Sequence, residues 1–407
     1  MFRFIGVLFL SGYSRLPHTK HYWSVEEDLG VPVASQSMSR NRFTTIKRYL
    51  HLVDNSALEE TDKGAKVKPF FELITEKLIQ FSVFAKHLSV DEQMCPYYGK
   101  HSAKMYMNNK PIKFGYKYWV LSSADGYPFH LKLYLGKNTD RGDDTLGAFV
   151  VKELVAKIQE PACHTITFYN FFTSYNLLIE LKEKMIAATG TIRYNRLKGA
   201  PLPSFQEAKK MPRGTIHSAG DGHVVACCWT DNKPVYVASN TYGIHPTQSK
   251  RRYSQSEYDH IQVDCPRMIV EYNKYMGGVD LCDRFLSEYR PTIRGKKWWF
   301  SLFLHGLNVL VVATWRLHIN LGGKMLQLDF LRSIACCLLK TNAQTHLLAR
   351  QNPRHQEDDV RFDKVGHEVH KGLKEGRCKA CQKNTFYLCI KCNLRLHQKC
   401  FDKYHSK

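Results

Sequence analysis

Between residues 89 and 195 the apolar spacing switches repeatedly between the period of a strand and that of a helix, which leaves few folds open. An apolar stretch leads into Ser89-Val90-Asp91, placing Asp91 at the end of a strand-like segment. Residues 113–123 (KFGYKYWVLSS) are aromatic and rich in β-formers. Ala124-Asp125-Gly126-Tyr127-Pro128 supplies a turn, and Phe129, Leu131, Leu133 and Leu135 then alternate with His130, Lys132 and Tyr134, so a hairpin is predicted. Residues 143–158 have helical spacing, 164–170 (HTITFYN) read as a short strand, 174–185 as an amphipathic helix and 190–195 (GTIRYN) as another strand. Strand, hairpin, helix, strand, helix, strand predicts an α/β core on a mixed sheet.

The flanks differ. Residues 1–88 read as helices, with Phe43, Ile46, Tyr49 and Leu50 on one face of the segment 39–55. The opening MFRFIGVLFL mimics a signal peptide, but its apolar run is short and no small-residue cleavage site follows, so a buried helix is expected. Residues 196–265 carry five prolines and short β runs (HVVACCW, KPVYVASN), predicting a small all-β insertion. Helical spacing returns over 266–340. Within it, residues 298–315 are long enough to span a bilayer. His305, Gly306 and Asn308 interrupt them, so a core helix and no membrane partner are expected. Residues 341–377 are polar and read as a linker to the tail, residues 378–407.

A chain of 407 residues suits two or three domains. Its 43% apolar and 24% charged content excludes global disorder and collagen-like architectures. Lysine and arginine total 59 against 37 acids, a formal charge of +22, which predicts a polyanionic partner, nucleic acid first. The basic residues fall in several segments: Lys100, Lys104, Lys110, Lys113, Lys117, Lys132 and Lys137; Arg193, Arg196, Lys198, Lys209, Lys210 and Arg213; Lys250-Arg251-Arg252; and Arg290, Arg294, Lys296 and Lys297. Together they suit a long DNA track whose affinity falls steeply with salt. Tyr97-Tyr98, Tyr116, Tyr118 and Trp119 interleave with the first segment, and strand-core packing is expected of them before base stacking.

Five of the 13 cysteines lie in the last 30 residues, and the total is odd, which reads as a reduced intracellular protein with a metal-binding tail. Cys378-x2-Cys381, Cys389-x2-Cys392, His397-x2-Cys400 and His405 supply seven thiol or imidazole ligands. Two tetrahedral zinc sites need about eight. His370 or His367, just upstream, can supply the eighth, and His370 is taken as the candidate. With such short spacings an interleaved two-zinc cross-brace is expected, folding with its metal because the segment is too small for an apolar core.

Acidic residues form two further clusters. Asp91 adjoins Glu92, and Asp280 and Asp283 in GGVDLCD share one helix face at i,i+3, with Gly277 and Gly278 allowing close backbone approach. Carboxylates so gathered can hold two magnesium ions for phosphoryl transfer; a solvated helix face beside an ordinary strand acid is the plainer reading of the same residues.

SVDEQM, KPIKFGYKYWVL, FYNFFTSYNLL and YNKYMGGVDLCDRF, in that order, resemble the piggyBac transposases and their domesticated relatives over nearly the whole chain. The resemblance implies a ribonuclease-H-like core (89–195 and 266–340) with an inserted β domain (196–265). It also implies a helical dimerisation and DNA-binding region (1–88) and a cysteine-rich domain that binds transposon ends. The implied activity is cut-and-paste DNA transposition at TTAA sites, in the nucleus, with magnesium, on double-stranded DNA; a homodimer is an assembly it allows. Asp91 matches the family's first aspartate, Asp280 the third and Asp283 an additional one. Where relatives have the second aspartate, before Asn-Phe-Phe-Thr-Ser, this chain has Tyr169. An uncharged phenol is a poor magnesium ligand, so the expectation is a DNA-binding protein with an impaired nuclease site. The alternatives are an active transposase and a zinc module serving protein interaction. Many relatives carry a longer acidic N-terminal extension, and this chain opens almost directly on the helical region, as a fragment or truncated copy would.

Overall fold

The computed structural model describes residues 1–58, 62–81, 85–108, 110–136, 142–158, 160–197, 199–255, 257–341, 361–362 and 365–406. It divides into two units, Met1–Thr341 and Asn342–Lys407.

The first unit opens with α1 (Phe2–Tyr13), α2 (Pro32–Ser37), α3 (Arg40–Tyr49) and α4 (Lys68–Ile79). The N-terminal apolar run is a buried helix: Phe4, Val7, Leu8, Phe9 and Leu10 are all in the core, and Phe4 packs against Phe43 of α3. The sheet that follows contains β1 (His87–Pro96), β2 (Met105–Tyr106), β3 (Phe114–Ser123), β4 (Pro128–Leu133), β5 (Thr165–Phe168) and β6 (Ala187–Thr191). β1 pairs antiparallel with β3 and parallel with β5; β5 pairs parallel with β6; β3 and β4 form the expected hairpin. This antiparallel arm beside a parallel trio is the mixed sheet expected of a ribonuclease-H-like core. The crossover helices α5 (Leu146–Val155) and α6 (Tyr175–Glu183) start where Thr145 and Ser174 accept from the amides of Ala148 and Leu177.

Two expectations shift. Asp91 is mid-strand, because β1 runs on to Pro96. The polar Asp91-Glu92-Gln93 run looks like a strand exit but is paired in the ladder with Val120, Trp119 and Tyr118. The last core strand is Ala187–Thr191, three residues earlier than the GTIRYN reading placed it.

Residues 196–265 are β-rich as expected, but most do not form a sheet apart. After α7 (Phe205–Lys209), strands β7 (Ile216–Gly220), β8 (Val225–Thr230) and β9 (Pro234–Ser239) extend the main sheet, with Thr189 of β6 opposite Ser239 of β9. Only β10 (Gln248–Ser254) and β11 (Asp259–Cys265) form a separate hairpin. The Trp229 indole ties it down by donating to the Asp264 carbonyl at 2.7 Å.

The unit closes with α8 (Arg267–Tyr275), α9 (Gly278–Glu288), α10 (Trp298–Asn320) and α11 (Gln327–Lys340). α10 is the one helix, among the described residues, long and apolar enough to cross a membrane, and most of it is buried inside this unit. Its polar residues are used there: His305 Nε2 is 2.9 Å from Gln93 Oε1, and Asn308 donates to the Leu286 carbonyl. The second unit has a small sheet of β12 (Val369–Arg377), β13 (Asn384–Cys389) and β14 (Leu394–Arg395), then α12 (Gln398–His405). The tail unit therefore takes in residues 369–377, which the linker reading had excluded; residues 342–360 of that linker lie outside the described residues.

α9 packs on β1 and β3, and glycine makes this possible. A Cβ on Gly278 would lie 2.2 Å from the Ser123 carbonyl oxygen and 2.5 Å from Ser89 Oγ, whereas one on Gly277 meets nothing within 4 Å. Gly278→Ala is expected to cost about 2 kcal/mol in chemical denaturation, and Gly277→Ala less than about 0.5 kcal/mol. Equal effects would remove the close approach as the reason for glycine.

Candidate functional site

Successive residues of a strand face opposite sides of the sheet, so Asp91 and Glu92 diverge although they adjoin. Asp91 is the closer to α9. Glu92 points with its ladder partner Trp119 toward Phe171 and Phe172, rings that pack on the indole. It is 9% exposed and held by three groups. Lys110 Nζ lies 3.4 Å from Oε1, Lys117 Nζ lies 3.6 Å from Oε2, and the Tyr169 hydroxyl donates to Oε2. Tyr169 follows β5 directly, one residue past the last ladder pair of Val90 with Phe168. Burial, the Glu92 hydrogen bond and the nearby carboxylates drive its pKa far above the usual phenol value.

This network went unread in the sequence. In the sequence Glu92 stands out only as a neighbour of Asp91, and Lys117 only as one of a run of basic residues. Lys117 is 9% exposed and lies 3.7 Å over the Trp119 ring, so its charge is internal. Burial pulls its pKa below the usual lysine range despite Glu92. Its alternation within an aromatic strand was the available signal, since β3 is buried along nearly its whole length. Tyr116, Tyr118 and Trp119 are core residues at 0–2% exposure, not base-stacking platforms.

On the other side, α9 brings Asp280 and Asp283 toward Asp91. Asp280 is in the first turn and exposed; Asp283, one turn on, is half-buried. Burial is the main reason that Asp91 is pushed up to about 6 and Asp283 up to about 7, and the Asp280 charge adds to both. Lys110 opposes both shifts. Burial works against the Lys110 ammonium in turn, but Asp91, Glu92 and Asp280 outweigh it and hold its pKa above the usual lysine value. Asp280 thus lies near enough to Asp91 and to Asp283 for its charge to act on both, and the Asp91 charge acts on Tyr169.

Two magnesium ions need several ionised oxygens with no competing cation. Here the second-acid position carries a neutral phenol already engaged with Glu92, and an ammonium sits among the carboxylates. This donor set does not fit a pair of magnesium ions.

The tail residues do fit a metal. Ligand atoms of His367, Cys389, Cys392 and His405 lie within 4.8 Å of one another, and so do those of Cys378, Cys381, His397 and Cys400. The two sets interleave along the chain. Cys392 Sγ is 3.3 Å from His405 Nε2 and 3.4 Å from His367 Nδ1, and Cys381 Sγ is 3.3 Å from His397 Nδ1. Those are close to the roughly 3.5 Å edge of a tetrahedron with metal–ligand bonds of about 2.0–2.3 Å. The second nitrogens of His405 and His397 face the Phe401 and Asn384 carbonyls, each at 3.0 Å, the outer-shell contact that orients a metal-binding imidazole. His367, not His370, completes the upstream set. His370 is exposed on β12, 3.7 Å from the Glu368 carboxylate. Glu368 and Val369 separate the two histidines, and only His367 lies beside the cysteines.

The half-buried acids make stability depend on pH. Asp283 binds its proton more tightly when folded, so stability falls as pH rises from about 4, the unfolded value, to about 7. Asp283→Asn removes this loss. In chelator, the variant is expected to exceed the parent by on the order of 2 kcal/mol at about pH 8 and to match it at about pH 4. Parallel stability profiles of the two proteins would contradict the buried placement.

A family model described as Transposase IS4 matches residues 1–315. Two human proteins are similar over 99% of this chain and 69% of their own length: PiggyBac transposable element-derived protein 3, 37% identical over 411 residues, and PiggyBac transposable element-derived protein 2, 33% identical over 413. Among solved structures, a chain of the piggyBac transposase synaptic complex with hairpin DNA superposes with a TM-score of 0.71, covering 98% of this chain and 87% of its own, at 23% identity. That likeness is one of fold. With the family model spanning most of the chain and relatives above 30% identity across it, the protein belongs to the piggyBac-type family of transposases and transposable element-derived proteins.

Proposed function

We propose that this chain is a transposase-derived, nuclear protein that binds double-stranded DNA and does not cut it. The observation that carries the reading is the Tyr169–Glu92–Lys110–Lys117 network. It engages the Tyr169 hydroxyl with Glu92, and the Lys110 charge also acts on Asp91, which supports a second-acid position without a free anionic oxygen. The binding half rests on the formal charge of +22 and on the fold shared with a transposase solved with hairpin DNA. In this reading the tail carries two structural zinc ions, one on His367, Cys389, Cys392 and His405, the other on Cys378, Cys381, His397 and Cys400. When bound, zinc supplies the folding free energy that so small a unit lacks. Self-association as a homodimer is compatible with the reading.

Duplex affinity is expected to fall about a thousandfold or more between roughly 50 and 200 mM salt, as counterions are re-taken from solution. No nicking is expected in magnesium. Tyr169→Asp should add a carboxylate beside Asp91 and gain manganese binding by calorimetry, a gain that Asp280→Ala cancels. Nicking of a TTAA-flanked duplex by the parent chain, lost on Asp91→Ala, would establish an active transposase instead. Salt-insensitive or absent duplex binding would favour a protein-interaction role for the tail.

Metal analysis of the purified chain should find about two zinc ions. Cys389→Ser and Cys378→Ser should each lower this to about one, and His370→Ala should leave it unchanged. A loss of zinc on His370→Ala but not on His367→Ala would reverse the ligand assignment.

A further inference from the structure

The two ligand sets of the tail differ in how far solvent reaches them. Cys389 and Cys392 are 0% and 3% exposed, and His405 is buried with them. In the other set only Cys378 is buried; His397 and Cys400 are half-buried, and Cys381 is exposed. The sulfurs differ in their partners as well. Cys389 Sγ accepts the Cys392 amide at 3.4 Å, and Cys378 Sγ accepts the His397 amide at 3.5 Å. Cys381 Sγ instead faces the His397 ring, 3.3 Å from Nδ1.

Exposure alone does not make a cysteine reactive, because the thiolate is the nucleophile. Three cysteines of the chain are exposed: Cys163, Cys337 and Cys381. Cys163 Sγ donates its proton to the Glu160 carboxylate at 3.7 Å. Cys337 adjoins Cys336 on α11, and successive residues of a helix do not face each other. Of the three, Cys381 alone sits in a ligand set, its sulfur within 4.8 Å of those of Cys378 and Cys400. Bound to zinc, a thiol is held as the thiolate, the form that attacks a peroxide. Cys389 and Cys392 would share that chemistry, but their burial denies an oxidant access.

We infer that Cys381 is a site of oxidation by hydroperoxides, that Cys400 closes a disulfide with it, and that the exposed set thereby gives up its zinc while the buried set keeps its own. This rests on the reading that the tail holds two zinc ions, and it adds that they are unequally held. In the first step the Cys381 thiolate attacks the terminal oxygen of the hydroperoxide. The S–O bond forms, the O–O bond breaks, and the departing oxygen takes a proton from water. Cys381 is then a sulfenic acid. The Cys400 thiolate attacks that sulfur, the S–S bond forms, and the hydroxide leaves as water after taking a proton. Two electrons pass from the pair of sulfurs to the peroxide. Cys378 and His397 remain, too few ligands for a tetrahedral site. Cys400 is the partner because it is half-buried in the first turn of α12. Cys378 is buried immediately after β12, with its sulfur already accepting an amide. α12 also carries His405 of the buried set, so it stays anchored when the exposed set opens. A thiol reductant, by exchange with the disulfide, and zinc restore the starting state.

The test treats the full, zinc-loaded chain with hydrogen peroxide. Released zinc is followed with a chromogenic chelator, and oxidised cysteines are mapped by peptide mass spectrometry, with dimedone present in a parallel sample to trap sulfenic acid. About one of the two ions is expected to leave in a fast phase, and the other at least about tenfold more slowly. The fast phase should coincide with a Cys381–Cys400 disulfide, dimedone should label Cys381, and a thiol reductant with added zinc should restore both ions. Cys381→Ser, left with the buried set's zinc, should show the slow phase alone. Should that variant fail to fold, the map of the parent chain still decides. Release of both ions at one rate, or first oxidation at Cys389, Cys392, Cys163 or Cys337, would overturn the inference and leave the two-zinc reading standing. A Cys378–Cys381 disulfide would overturn the choice of Cys400. An untreated chain with fewer than about two zinc ions would remove both the reading and the inference.

Discussion

The acidic site depends on the pairing of β1, antiparallel to β3 from Leu88 to Pro96 on one side and parallel to β5 from His87 to Val90 on the other. A strand so held cannot turn its side chains, so Asp91 and Glu92 are committed to opposite faces. α9 then reaches the Asp91 side only because Gly278 has no Cβ to strike Ser123. The aromatic layer of Trp119, Phe171 and Phe172 closes the Glu92 side and excludes water. In that dry setting an unpaired carboxylate would be expensive, and Lys110, Lys117 and the Tyr169 hydroxyl meet the demand from within the chain.

That compensation changes what the site can do. A metal-dependent nuclease keeps carboxylates short of positive charge until the ion arrives. Here Lys110 pairs with Glu92 at 3.4 Å, and the charges of Asp91 and Asp280 also favour its ammonium form. An incoming ion would have to displace an ammonium that the surrounding charges already hold. In the proposed reading, the same residues that surround Tyr169 oppose metal-dependent strand cleavage.

The tail follows another principle. Its buried set consists largely of ligands: Cys378, Cys389 and Cys392 join Leu396 in what apolar core it has. Two interleaved clusters cross-link β12, β13 and α12 so that each strand end is fixed by residues from a different part of the segment. In the proposed two-zinc form, bonds to the ions supply the cohesion that a larger domain draws from apolar burial.

Much was legible in the chain itself. Period-two and period-3.6 spacing is local, so the order of strands and helices, the β3–β4 hairpin and the buried character of α1 and α10 could be read directly, as could the thiol and imidazole chemistry of the tail. The tyrosine at 169 was visible by comparison with related motifs. What spacing cannot contain is the partner of a side chain across the sheet. Whether Lys117 faced solvent or Glu92 was settled by the register of β1 against β3, and whether His367 or His370 joined the cysteines was settled by the pairing of β12 with β13. Likewise Thr189 meeting Ser239 made β7–β9 part of the main sheet. The sequence determined element types and the chemistry available because both depend on near neighbours. The tertiary structure decided which charges meet, because those contacts join residues tens to hundreds of positions apart and exist only once the sheet has closed.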